Sequence, residues 1–346
     1  MADNTIIYEA TKKLDRKWLE RFATSHEYAN GKGKIMLKDD VMIIGKGAFE
    51  NFRELKSIVL PNTIKKIYDD AFFHCLELEN IVIPESVSEI GDNAFCVTQI
   101  ESIVIPESVT KIGDNLLGDN ENLKSIVVVP GNRVYDSRND CNAIIETATN
   151  KLIAGCTNTI IPDSVTKIGD WAFGNCYELT TMTIPHSVTE IGNRAFWFCD
   201  SLTSIAIPKS VKKIGVEAFS CCTNLTSIDI PDSIEAIEEA TFGNCKALTS
   251  ITIPNSVKKI KKEAFYGCSS LKAVALPDSV TTISTSAFED CENLESIEIP
   301  ESVAVIGNSV FKGCTSLKKI SIPSGKMDFF KRKLPQKFHN IIVERK

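Results

Sequence analysis

The chain has 346 residues, 43% apolar and 24% charged, with a formal net charge of −6. That balance is ordinary for a globular protein. It supplies no basic surface of the kind general nucleic-acid binding needs, and no stretch of about 18 apolar residues that could span a bilayer.

The N-terminus reads M-A-D-N-T-I-I-Y-E-A, with neither a basic start nor an apolar core, so it does not read as a signal peptide. Either the chain is intracellular from Met1, or it is exported and a leader lies outside this sequence. Residues 9–24 carry Leu14, Trp18 and Phe22 at i, i+4 and i+8. That spacing predicts a helix with one apolar face. Residues 1–31 are therefore read as a helical N-terminal cap.

From residue 32 a repeat takes over. Twelve of the thirteen prolines form a ladder: Pro61, Pro84, Pro106, Pro130, Pro162, Pro185, Pro208, Pro231, Pro254, Pro277, Pro300 and Pro323. The last seven steps are all 23 residues. A fixed period of this length marks a stacked array, in which each coil contacts only its neighbours. Residues 32–130 form a first sub-array and 162–323 a second, about twelve coils in all.

The unit Leu202–Asn224 explains the period. Ile205 and Ile207 alternate as on a strand with one buried face, and Pro208 ends the strand because it cannot donate to a ladder. Val211 and Ile214 form a second apolar pair, Gly215 marks a turn, and Ala218 with Phe219 return to the core. Phe49, Phe72, Phe95, Phe173, Phe196, Phe219, Phe242, Phe265, Phe288 and Phe311 share one slot. Ser or Thr follows the proline by two residues in most coils, which predicts a hydroxyl closing a tight turn onto its own backbone.

Eight of the twelve cysteines, beginning at Cys75 and ending at Cys314, fall three residues after the phenylalanine. One column of equivalents points to buried thiols, not to a disulfide framework. A zinc site needs four converging ligands, and no C-x-x-C occurs. Cys141 and Cys156 are the pair read as able to bridge under oxidising conditions.

Residues 131–161 interrupt the ladder with a 32-residue step. Ala143 to Thr147 and Lys151 to Gly155 predict a hairpin, projecting or folded in as an enlarged coil. Insertions in repeat proteins often carry binding, so Tyr135, Asp136 and Arg138 are candidate contact residues, with a structural joint as the alternative. At the far end, residues 324–346 form a second cap. Ser324 is placed to start a helix through Phe330 and Leu334, Pro335 stops it, and Ile341 to Val343 predict a last strand.

No catalytic constellation emerges. The four histidines share no spacing, and no G-x-S-x-G, P-loop or H-E-x-x-H motif is present. The expectation is a non-enzyme with neither cofactor nor metal. Partner contacts are then sought at exposed strand slots. The second such slot holds valine in four coils, Val59, Val82, Val104 and Val127. An exposed apolar stripe of that kind marks an interaction site, unless valine stands there because it suits strands or the N-terminal helix covers it. The first slot is mostly Ser or Thr-sized and suits an extended protein chain or a glycan. Lysine pairs at Lys65–Lys66, Lys212–Lys213 and Lys258–Lys259 sit on distant coils and form no continuous track.

The consensus L-x-x-I-x-I-P-x-S-V-x-x-I-G-x-x-A-F-x-x-C resembles the BspA-like leucine-rich repeat family over almost the whole chain. The segments Y-A-N-G-K-G-K-I at 28–35 and the stretch 135–156 resemble modules found with these repeats. The resemblance implies a leucine-rich-repeat solenoid with a parallel sheet on the concave face, short helical or irregular turns opposite, and no catalytic residues. It implies adhesion and binding of a host matrix or surface protein. The alternatives that the residues leave open are an intracellular scaffold, a part of a larger assembly, or a carbohydrate-binding solenoid.

Overall fold

The computed structural model describes residues 4–345. Met1–Asp3 of the expected cap, and Lys346, lie outside the described residues. The chain divides into two compact units. One runs to Pro162 and takes in Trp171–Cys176; the other is Asp163–Asp170 with Tyr177 to the C-terminus.

Each unit is a parallel-strand solenoid. In the first, Leu55–Val59 pairs with Asn80–Val82, and Ser102–Ile105 with Ser125–Val128. In the second, Ser250–Thr252, Ala273–Ala275, Ser296–Glu298 and Lys319–Ile322 pair in sequence order. Alternation is strict: Ile58, Ile81, Ile103 and Ile126 are buried while their neighbours face out.

The side opposite these strands is not helical. Each coil there makes a second, two-residue strand, and these too pair in parallel. Ile43–Ile44, Lys66–Ile67, Glu89–Ile90 and Lys111–Ile112 form one such sheet. In the other unit Ala236–Ile237, Lys259–Ile260, Thr282–Ile283 and Val305–Ile306 form another. Two residues are too few to show alternation in the sequence, which is why the V-x-x-I spacing read only as a second apolar pair. Glycine after this strand serves close approach: a Cβ at Gly215 would sit 2.5 Å from the backbone nitrogen of Asn193 on the preceding coil.

Between the two sheets stands the phenylalanine column. Phe49, Phe72 and Phe95 stack at 5.1 and 5.6 Å, and Phe196, Phe219, Phe242, Phe265, Phe288 and Phe311 at 5.3–6.1 Å. The rings are fully buried. Beside them the thiols of Cys222, Cys245, Cys268 and Cys291 donate to the carbonyls of Phe196, Phe219, Phe242 and Phe265, at 3.1–3.2 Å. Burial pushes Cys75, Cys176, Cys268 and Cys314 up to about 12.

The serine column is structural, but its partner is not its own backbone. Ser86, Ser187, Ser210, Ser256 and Ser302 donate to Ile64, Val165, Val188, Ile234 and Val280, each 22 residues back on the preceding coil. The proline carbonyl closes the turn instead, taking the N–H three residues on, as in Val211 to Pro208 at 3.0 Å.

The N-terminal cap departs from the helical expectation. Thr5–Ala10 is a strand that pairs antiparallel with Leu55–Val59 and with Lys32–Leu37, and Ala23–Ala29 adds outside the latter. Only Trp18–Phe22 is helical. The exposed edge of Leu55–Val59 needs backbone donors and acceptors, which a strand supplies and a helix cannot. At the other end Met327–Lys333 is a helix. Ser324 does not cap it; the N–H of Met327 donates to the carboxylate of Glu344 at 3.0 Å. Ile342–Glu344 pairs in parallel with Lys319–Ile322.

Candidate functional site

The four valines lie side by side on adjacent strands. Val59 is in register with Val82, and Val104 with Val127. Their exposures run from 43% to 71%, so the cap does not cover them. The cap instead lengthens the row: Ile7, on the antiparallel strand, is in register with Val59 and is 45% exposed. Five branched aliphatic side chains thus face outward in two registered groups, Ile7–Val59–Val82 and Val104–Val127, which belong to separate hydrogen-bonded ladders. Sequence reasoning missed Ile7, because its neighbourhood was read as helix-bound cap; the alternation of buried Ile6, Tyr8 and Ala10 was the available signal.

Alongside runs the small polar row Ser57, Asn80, Ser102 and Ser125. The corresponding aliphatic slot in the second unit is polar or small: Thr183, Ala206, Asp229, Thr252, Ala275, Glu298 and Ser321. There Glu298 is ion-paired with Arg345, and Ser321 is buried beside the last strand. The apolar row is therefore a local feature of the first unit and not a demand of the repeat.

Tyr135, Asp136 and Arg138 lie elsewhere and are turned to structural use. Tyr135–Asp136 pairs antiparallel with Ala143–Glu146, which pairs in turn with Lys151–Gly155. Ile144, Ile145 and Leu152 are fully buried, so this segment is folded into the stack. The ring of Tyr135 is buried, and its hydroxyl accepts the N–H of Ile112 at 3.1 Å. Arg138 clamps Asp136 through two nitrogens at 2.7 and 2.6 Å and also reaches Asn150. That clamp holds the Asp136 carboxyl below its ordinary range, against the opposing effect of its burial. The ring and both charges are already occupied.

The lysine pairs are likewise rungs between coils. Lys66 meets Glu89, Lys213 meets Glu190, Lys261 meets Glu238 and Lys262 meets Glu239, at 2.6–2.8 Å and 23 residues apart. Such exposed pairs are screened by solvent and add little to stability. Among the described residues no group of His, Cys, Asp or Glu side chains is arranged to hold a metal ion. No helix of the described residues is long and apolar enough to cross a membrane.

The profile of the BspA-type leucine-rich repeat region matches six copies over residues 27–138, 149–268 and 235–334. The chain belongs to the BspA-type leucine-rich repeat family. No curated protein sequence matches this leucine-rich repeat chain. Among solved structures it is similar to a leucine-rich repeat protein from Eubacterium ventriosum, with 25% identity and a TM-score of 0.71 over 80% of this chain and 82% of that one. A leucine-rich cell surface protein from Faecalibacterium prausnitzii is 29% identical, with a TM-score of 0.55 over 83% of this chain and 64% of that one. The pneumococcal vaccine antigen PcpA shares the fold at 21% identity and a TM-score of 0.59, over 82% of this chain and 72% of that one. The family is one of repeat modules for protein interaction, and the match indicates no catalytic family.

Proposed function

We propose that this chain is a non-catalytic, adhesin-like protein-binding module, and that Ile7, Val59, Val82, Val104 and Val127 form its contact row. The carrying observation is that this outward row is aliphatic in the first unit, while the same slot in the coils of the second unit is polar or small, with Val343 of the last strand as its one exposed aliphatic among the described residues. A repeat needs its inward residues to be apolar, and it has no such need for outward ones. Adjacent exposed aliphatic side chains are costly in water unless a partner covers them. The absence of charge within the row disfavours nucleic acid. The partner class is a protein of the host matrix or cell surface. The likeness to a cell surface protein of a gut bacterium supports that setting.

The test is capture from cell lysate and from extracellular matrix, with the intact chain and a Val82→Lys/Val104→Lys variant. Both side chains are at least half exposed, so the variant keeps its fold, with a stability change within about 0.5 kcal/mol. A protein retained by the native chain and lost by the variant supports the row as the site. A protein retained equally by both removes the row from the reading. Loss of glycan binding on arrays, with protein capture intact, would shift it to carbohydrate.

A further inference from the structure

The end of the first unit is closed on two sides and open on a third. Inside the array, backbone ladders run between coils. On the turn side Phe49 and Asn51 donate forward to Ala71 and Phe73, at 2.8 Å each. A coil before the first would therefore donate to the carbonyls of Ala48 and Glu50. The cap substitutes for it with side chains: the indole Nε1 of Trp18 donates to Ala48 at 2.8 Å, and the guanidinium of Arg16 to Glu50. On the long-strand side Thr5–Ala10 covers the edge.

The short sheet has no such cover. Ile43–Ile44 is its edge strand. In the next coils Lys65 and Tyr68 donate back to Met42 and Ile44, and Ser88 and Gly91 to Lys65 and Ile67, at 2.7–2.9 Å. The equivalent donors in the first coil are the N–H groups of Met42 and Gly45, and among the described residues neither has an acceptor. Beside them opens a cavity of about 180 Å³ lined by Ile6, Trp18, Phe22, Leu37, Val41 and Ile44, with Gly45 and Lys46 on its wall. A Cβ added to Gly91 or Gly113 would meet the preceding coil at 2.5 Å or less, whereas one on Gly45 finds no atom within 4 Å. The vacant space is where a preceding coil would lie. Edge strands are ordinarily blunted by proline or charge, yet this one reads Met-Ile-Ile, with Met42 and Ile43 exposed.

We propose that this edge is a second docking site, separate from the valine row, that takes an extended peptide strand. The strand adds parallel to Ile43–Ile44, its carbonyls accept from Met42 and Gly45, and one branched aliphatic side chain enters the cavity. Main-chain bonds give such strand addition its affinity and the side-chain pocket its specificity. The chain's own inner rungs show the complementary strand in the accepting role: the carbonyls of Thr189 and Ile191 take the N–H groups of Lys212 and Gly215, the counterparts of Met42 and Gly45, at 2.8 and 2.9 Å.

The test uses a fluorescein-labelled peptide of sequence S-V-T-E-I-G-N-R-A, that of residues 187–195, titrated with the full chain and read by polarisation. Saturable binding is expected. The same peptide with Ile191→Ala should bind about tenfold more weakly, since the cavity is left unfilled. On the protein, Gly45→Leu starts from open space and fills the cavity, so it should leave the melting temperature unchanged and also lose about tenfold in affinity. No saturable binding, or equal binding by both peptides, would overturn the proposal. Self-association of the native chain abolished by Gly45→Leu, without peptide binding, would overturn the free strand in favour of a second copy. Neither result touches the Val82→Lys/Val104→Lys comparison, which tests the other surface.

Discussion

Trp18 stands edge-on to Phe49, with ring centroids 5.6 Å apart and planes at 72°. Phe72, Phe219, Phe242, Phe265 and Phe288 each have a near-parallel ring above and below; at the start of the column the indole takes the place of the missing one. Phe338 does the same at the other end, edge-on to Phe311 at 6.4 Å and 81°. Each end of the ladder is thus sealed by an aromatic edge against an aromatic face, an arrangement favoured by the ring quadrupole.

The sealing predicts an ordered loss of stability. Trp18→Ala should destabilise the first unit by about 2–4 kcal/mol, from lost packing and an orphaned Ala48 carbonyl. Trp18→Phe keeps the edge contact and should cost only about 1 kcal/mol, the indole hydrogen bond. Chemical denaturation of both variants reads this directly. Equal losses in the two would show that the hydrogen bond, and not the ring, closes the end.

Val97 supplies a second prediction. It has a φ of +59° at a slot that Asn51, Asp119, Asn175, Asn244 and Gly267 fill elsewhere with the same left-handed backbone. A β-branched residue there is strained by about 1–2 kcal/mol, and Asn tolerates the region far better. Val97→Asn should raise stability by about 1 kcal/mol. A lower melting temperature would mean that the half-buried valine packs more favourably than its backbone is strained.

Which parts were legible in the sequence follows from the same logic of repetition. Phe219 or Pro208 recurs many times, so its slot declares itself. The cap occurs once. Leu14, Trp18 and Phe22 have helical spacing, but Leu14 accepts its place through Tyr8, whose hydroxyl takes the Leu14 N–H at 2.9 Å, and Trp18 and Phe22 bracket a single helical turn. What decided the cap was the unpaired edge of Leu55–Val59, a requirement of the neighbouring coil that no local period records. The valine row was readable because alternation fixes which strand residues face out. Its extension by Ile7 depended on the antiparallel pairing of the cap, and the burial of Tyr135 on a hydroxyl contact to Ile112 across coils.

The cysteine column predicts thiol chemistry. A thiol held at about 12, as for Cys75 or Cys268, has roughly one part in 10⁴ as thiolate at pH 8, whereas an unfolded cysteine near 8.5 is about a quarter ionised. Thiol titration with an aromatic disulfide reagent should leave the column untouched in the native chain and reach it at once in guanidinium. Cys221, outside the column and only partly buried, should react first. Rapid native labelling at Cys268 would mean that the coil opens far more often than its packing implies.

A pH dependence is expected at the cap. The Tyr8 oxygen takes the N–H of Leu14 and shares a hydrogen bond with Nε2 of His26, 2.8 Å away. Burial lowers its pKa below the ordinary value of 6.5, and the charge of Lys13 lowers it further. The groups around it are Tyr8 and, stacked on that ring, Tyr28, whose hydroxyl donates to Ala10. A folded pKa depressed below the unfolded one means that the unfolded chain takes up the proton first. The contribution is full above about pH 6.5 and is lost as pH falls from there through the depressed folded value. The denaturation midpoint of the first unit should thus decline as pH falls below about 6.5. In His26→Gln, where the amide oxygen accepts from Tyr8 without titrating, that part of the decline should flatten. An identical slope in the variant would assign the pH response to the carboxylates and not to this hydrogen bond.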